Sequence, residues 1–317
     1  MHKEDVEKCL IYKVIHGSHA YGLSTPESDV DLRGICIPSK EYFLTHHKRF
    51  EQFEDKENDT TIFNLQKFIA LAADSNPNII ELLFITPDKI LYAHDSMKEL
   101  LEHRHLFVTA KAKFTFSGFA YGQLQRIKTH RRWLLNPPDH KPTRTEFDLH
   151  ETKTINASEL GAFNKMLEDG YVLDSSALEF VRRENAFQGA LKNWNQYQDW
   201  KKNRNPKRAA FEAKYGYDVK HASHLVRLLR MGYEILTEGK VIVFRPDREE
   251  ILAIKQGAWP YEKLIVYAEE MDAMLTEVYE KGQYVVPHHP DHDTIGRLCM
   301  NILEGYWKQQ NHYNYGH

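Results

Sequence analysis

The chain has 317 residues, 42% of them hydrophobic and 27% charged, with a formal net charge of −3. That length fits one large domain or two modest ones, and the apolar share excludes a wholly disordered chain. The near-neutral balance excludes a uniformly basic nucleic-acid binder, and three scattered cysteines, Cys9, Cys36 and Cys299, exclude a disulfide framework or a cysteine-built zinc cluster.

The charged start MHKEDVEKCLIYKVI lacks the apolar core of a signal peptide. No apolar run approaches the ~20 residues that a membrane helix needs, so a soluble, cytoplasmic protein without membrane contact is expected. LIYKVIH, residues 10–16, is short, apolar and β-branched and predicts a buried strand. Gly17 and Ser18 follow, then HAYGL as a short helix or turn and STPES as a loop. DVDLRGICI, residues 29–37, alternates polar and apolar residues and predicts a second strand that Pro38 ends. SKEYFL begins a helix, EDKEND is a charged stretch, and TTIFNLQKFIALAA starts extended and turns helical. Asn76-Pro77 stops that helix, and a further short helix or strand follows it. Beyond residue 100 the pattern becomes helical, over 111–135, 157–167, 177–200, 217–237, 264–282 and 293–307. The pattern predicts an N-terminal α/β unit of roughly 100 residues followed by a helical unit, with the boundary near residue 105.

The stretch HGSHAYGLSTPESDVDLRG carries the chemistry. In a strand Asp29 and Asp31 share one face, with Val30 and Leu32 on the other, buried face. Two carboxylates side by side repel unless a hard divalent cation neutralises them. A bare Asp-x-Asp is commonly just a solvated strand edge. Gly17 and Ser18, ten residues upstream, change that reading. A glycine after a strand lets backbone approach a ligand, and N–H groups opening a helix face an anion. A phosphate cradle beside a metal-binding pair is what nucleotidyl transfer requires.

The string resembles the signature of the DNA polymerase β-like nucleotidyltransferase superfamily: an apolar residue, Gly, Gly or Ser, about ten residues, then Asp-x-Asp between apolar residues. Here it is His16-Gly17-Ser18 and Asp29-Val30-Asp31-Leu32, the departure being His16. GSHAYGLSTPESDVDLRGI is most similar to the branch of nucleotidyltransferases associated with bacterial RNA repair, which phages also carry. That branch continues with a third Asp, an aromatic four residues on, a Leu-x-Lys helix and an Asn-Pro-x-x-x-Glu segment. The matching residues are Asp59, Phe63, Leu65-Gln66-Lys67 and Asn76-Pro77 through Glu81, with a looser likeness in the Lys220 to Arg227 helix.

The resemblance implies an α+β fold, a small mixed sheet flanked by helices in residues 1–105 and a mainly helical domain in 106–317, and transfer of a nucleoside monophosphate from an NTP, ATP among the candidates, to a hydroxyl with release of pyrophosphate. It implies an RNA 3′ end, tRNA-like, as acceptor. Two Mg²⁺ ions, replaceable by Mn²⁺, would be held by Asp29, Asp31 and Asp59; Glu54, Asp55 and Glu57 are rivals for the third place. Gly17, Ser18, Lys220 and Arg227 would hold the phosphates. His19, Arg33, Asn76 and His224 are further candidates, Arg33 being expected out of phase with Asp31. Lys220, His224 and Arg227 share a helix face, and residues 111–132 hold six Lys or Arg and no acid. The aromatics among these basic segments are expected mainly in the core, and PHHPDHD is expected as a loop rather than a zinc site. Transfer to a protein or small-molecule hydroxyl, and a non-catalytic nucleotide or RNA binder, are the alternatives. No motif encodes the oligomeric state.

Overall fold

The first long apolar run becomes β1 (Leu10–His16), which buries Ile11, Tyr12, Val14 and His16. It is preceded by α1 (Lys3–Lys8) and followed directly by α2 (Gly17–Tyr21). The structure, a computed structural model, describes residues 1–152 and 155–314, except the side chains of 207, 208 and 311–314. The chain continues through β2 (Asp31–Cys36), α3 (Glu41–Leu44), β3 (Gln52–Asp55) and β4 (Thr60–Asn64). Then come α4 (Leu65–Ala73), α5 (Pro77–Ile80), β5 (Ile90–Ala93), α6 (Ser96–Glu102) and α7 (Ala112–Leu135). The remainder is helical: α8 (Ala157–Glu168), α9 (Ser175–Asn203), α10 (Pro206–Tyr215), α11 (Val219–Glu238), α12 (Arg248–Lys255), α13 (Tyr261–Glu280) and α14 (His292–Asn314). No described helix is long and apolar enough to cross a membrane.

The five strands form one mixed sheet in the order β3-β4-β2-β1-β5. Only β2 and β4 run parallel; the other pairs are antiparallel. His16 pairs with Asp31, and Leu32 pairs with Thr60. The end of β1 and the starts of β2 and β4 therefore meet at one end of the sheet. Asn64 closes β4 and caps α4, its side chain accepting from Lys67 N at 2.7 Å and donating to the Phe50 carbonyl.

By contacts the chain forms two units, Met1–Arg126 with Val219–His317, and Ile127–Asp218. This is not the linear division expected at residue 105. In the first unit α14 packs on α4 and α6, and Trp307 Nε1 donates to the Pro38 carbonyl at 3.0 Å, so the last helices close over the sheet's own helices. Within the second unit Ile155, Leu160 and Val181 form a core. Glu184 is buried there in a two-pronged bond to Arg144, at 2.9 and 2.8 Å. Trp133, Tyr197 and Trp200 cluster in the same unit, with the Arg204 guanidinium 4.5 Å from the Trp200 ring centre.

Two local expectations change. β2 starts at Asp31, so Asp29 and Val30 lie in the preceding loop; Val30 is 46% exposed and does not face the core. The charged stretch before Asp59 contains strand β3, with Glu54 opposite Thr61. PHHPDHD is a loop as expected as far as Asp291, which accepts from Thr294 N at the head of α14, and Tyr284 just before it stacks on His288.

Candidate active site

Gly17 stands where β1 turns into α2, with φ +64°. A Cβ built there would lie 1.9 Å from Asp31 Oδ2. The Asp31 carboxylate thus rests against the backbone of the Gly-Ser turn, and only a residue without a side chain permits that approach. The two motifs separated by ten residues are adjacent in space because His16 and Asp31 are a cross-strand pair.

Asp59 sits immediately before β4 with φ +43°, a left-handed conformation that Asp tolerates better than most residues. Its carbonyl accepts from Leu32 N at 3.1 Å and from Arg33 Nη1 at 2.8 Å. These bonds fix the start of β4 beside Asp31. Asp55, a rival for the third place, spends both oxygens locally: it accepts from Asn58 and Glu57 in the turn and from Lys3 Nζ at 3.0 Å. Its bonds to Asn58 and Lys3 hold its carboxyl at about 2. Glu54 Oε1 accepts from Gln52, and Glu57 lies in the β3–β4 turn. Asp29 is exposed, in the loop leading to β2. Among the described residues the ligand oxygens of Asp29, Asp31 and Asp59 do not all lie within 4.8 Å of one another. Carboxylates hold hard divalent cations well, and these three, at or beside one sheet end, suit such an ion by chemistry.

Arg33 is in phase with Asp31, contrary to expectation, because residues two apart in a strand share a face. Its Nη2 lies 3.9 Å from Asp31 Oδ1, so it partly offsets the acidic charge. His19 Nε2 contacts the Ser28 carbonyl at 3.3 Å and ties α2 to the loop that carries Asp29. Ser18 is half-buried in the turn. Asn76 is a helix cap: its side chain accepts from Asn78 N at 3.1 Å, and nothing brings it to the aspartates.

Arg227 does not reach the surface as a phosphate ligand would. It is 1% exposed and paired with Glu81, itself 0% exposed. Glu81 Oε2 also accepts from the Tyr21 hydroxyl at 2.6 Å and lies 3.2 Å from His16 Nε2. The Arg227 guanidinium stacks 3.7 Å from the Tyr21 ring centre. Burial pushes the Glu81 carboxyl up, but Arg227, His16 and Tyr21 outweigh burial and hold it at about 2. His224, on the same helix, is pushed down to about 3 by burial and by the Arg227 charge.

Lys220 is exposed. Its charge adds to burial in lowering the Lys255 ammonium, whose Nζ donates to the Leu23 carbonyl at 3.1 Å just past α2. The sequence did not single out Lys255, nor Phe244 and Arg248. A Cβ on Gly22, at the end of α2, would meet the Phe244 ring at 2.8 Å and Arg248 Cδ at 3.2 Å. Phe244 is 42% exposed there. The signal that could have found them is weak: an aromatic beside an arginine in FRPDR, far along the chain.

A mixed sheet bearing Gly-Ser at the end of one strand and Asp at the head of its neighbour, followed by a largely helical region, makes this an α+β fold. Residues 1–136 match the model of the RNA repair pathway DNA polymerase beta family, the branch that the motifs resemble. Two curated relatives are also similar. One is an uncharacterized 38.9 kDa protein from the nrdC-mobD intergenic region of Enterobacteria phage T4, 30% identical over 128 residues, which is 37% of this chain and 38% of the relative. The other is the uncharacterized protein YcgL of Bacillus subtilis (strain 168), 31% identical over 77 residues, 23% of this chain and 30% of the relative. The chain thus covers well under half of either relative's length. No solved structure matches.

Proposed function

We propose that the protein is a metal-dependent nucleotidyltransferase that moves a nucleoside monophosphate from an NTP to the 3′ hydroxyl of an RNA. The observation that carries this reading is the Asp31 carboxylate lying on the Gly17 backbone, so that a phosphate cradle and an acidic site are one place. Asp59, fixed beside Asp31 through its carbonyl, supports a third carboxylate at that place.

In this reading the backbone at Gly17 and the Ser18 hydroxyl receive the triphosphate, and exposed Lys220 and half-buried Lys255 add positive charge beyond α2. Asp29, Asp31 and Asp59 would hold divalent cations, which supply neutralisation of the triphosphate and acidification of the attacking hydroxyl. Asp59 would take the hydroxyl proton. The acceptor oxygen attacks the α-phosphorus, the bond to the bridging oxygen breaks, and pyrophosphate leaves with the electron pair. Arg33 limits repulsion between the carboxylates. The RNA acceptor is supported by the description of the family and by the acid-free basic run of residues 111–132.

The test is a transfer assay with each α-labelled NTP, Mg²⁺ or Mn²⁺ and total RNA, with Asp31→Asn as the control. Label on RNA from the wild type alone is expected. Label on protein, or full activity in Asp31→Asn, would overturn the assignment.

A further inference from the structure

Glu81 is a fully buried carboxylate that no step of the proposed chemistry uses. It lies at the end of the Asn-Pro segment, where Asn76 caps α5 and so sets its position. Its two oxygens reach three elements. Oε1 accepts from Arg227 on α11, and Oε2 holds the Tyr21 hydroxyl at 2.6 Å and meets His16 Nε2 at 3.2 Å. His16 and Tyr21 are the last residue of β1 and the last residue of α2. Gly17 and Ser18 lie between them. The carboxylate therefore grips both ends of the five-residue helix that begins with the Gly-Ser turn, from the side away from solvent.

Stability alone does not call for this arrangement. The desolvation cost of a buried ion pair offsets most of its attraction, and a well-packed apolar pair of similar volume often does as well. One donor of Arg227, Nη2, also has no hydrogen-bond partner among the described residues, so the guanidinium is not fully satisfied. What the carboxylate supplies and an apolar group cannot is direction. A short bond to the carboxylate fixes Tyr21, and a longer one at 3.2 Å orients His16. A cradle that receives phosphate on backbone groups works only if those groups are held in place beforehand.

We propose that Glu81 is a positioning residue of the nucleotide site: with Arg227 behind it, it holds His16 and Tyr21 so that the Gly17–Ser18 turn is shaped for a nucleoside triphosphate it never touches. The proposal rests on the nucleotidyltransferase reading and deepens it. It also gives Arg227 a role through Glu81 and Tyr21 in place of direct phosphate contact.

The experiment measures binding of the four NTP analogues that cannot be cleaved at the α–β bond, with Mg²⁺, by calorimetry on the full chain, together with the thermal midpoint of each variant. Glu81→Gln is expected to weaken binding at least tenfold and Tyr21→Phe, which removes one hydroxyl, several-fold. The decisive variant is Glu81→Leu combined with Arg227→Met, which removes both charges at once. It is expected to recover most of the thermal midpoint lost in Glu81→Gln while binding stays at least tenfold weak. A structural role would predict recovery of both, and that result overturns the proposal, as would unchanged affinity in Tyr21→Phe and Glu81→Gln. If Glu81→Gln does not fold, Tyr21→Phe and the double variant decide by the same criteria. Failure of the wild type to bind any of the four analogues would overturn the nucleotidyltransferase reading and the proposal with it.

Discussion

A methyl group on Gly17 would need space that the Asp31 carboxylate already fills, 1.9 Å away, at a backbone φ of +64°. The left-handed conformation alone costs a non-glycine residue roughly 1–2 kcal/mol, and the clash must also push Asp31 or the turn aside. Gly17→Ala is therefore expected to lower transfer activity by about 10²-fold, the scale of a 1 Å misplacement at a reacting centre. Near-wild-type turnover in the assay above would show that the turn and Asp31 do not act together. His224 offers a test of a different kind. Its imidazole titrates at about 3 in the fold against 6.5 as a free side chain, burial being the first cause and the Arg227 charge the second. Between those values the unfolded chain carries a proton that the folded chain refuses. Stability from this group is thus complete above pH 6.5 and falls as the pH drops, by at most ~1.4 kcal/mol per pH unit. Glu81, held at about 2 against 4.5, is lost only at lower pH, so the interval from pH 7 to 5 reports His224. His224→Gln should flatten the fall in urea midpoint over that interval, and an unchanged slope would remove His224 from the account. The closeness of Gly17 and Asp31 was legible because the spacing between Gly-Ser and Asp-x-Asp puts them at facing ends of two neighbouring strands. Glu81 and Arg227 were not: a glutamate after Asn-Pro and an arginine on an amphipathic helix look like surface charges until the tertiary fold buries them against each other.

At the scale of elements, what makes the site is that three strands begin or end together, and their helices start without slack. Asn64 is one such joint. It ends β4, caps α4 through Lys67 N and bonds the Phe50 carbonyl, and it is buried. Its replacement by alanine removes a helix cap and leaves buried backbone groups unpaired, which together should cost about 1–3 kcal/mol. Chemical denaturation of Asn64→Ala measures this directly, and a loss below a few tenths would mean that the joint carries no load. The strands β1, β2 and β4 were readable because their apolar residues follow a strand pattern. β3 was not, because Gln52, Glu54 and Asp55 give it few apolar residues, as suits an exposed sheet edge. The start of β2 was placed two residues early for the opposite reason: alternation continues through Asp29 and Val30, but they find no partner strand.

For the whole molecule, the linear order of the sequence misled where contacts cross it. Helices read as a separate domain from residue 106 onward divide instead, with α11 to α14 belonging to the unit that holds the sheet. No local pattern in a sequence encodes such a return. The family match ends at residue 136, which suggests a catalytic piece that could stand alone. The structure argues otherwise. A fragment of residues 1–136 keeps Glu81 but loses Arg227, its paired guanidinium, and leaving one charge of a buried pair uncompensated costs about 3–5 kcal/mol. It also strips α14 from α4 and α6, the two helices it packs against. Losses of that size match the 5–15 kcal/mol by which a typical domain is stable at all. The fragment is expected to show no cooperative thermal transition and to bind an apolar dye at neutral pH, while the full chain melts in a sharp step. A fragment with a sharp transition and native-like nucleotide affinity would mean that the returning helices do not support the site, and that Glu81 holds the turn without Arg227.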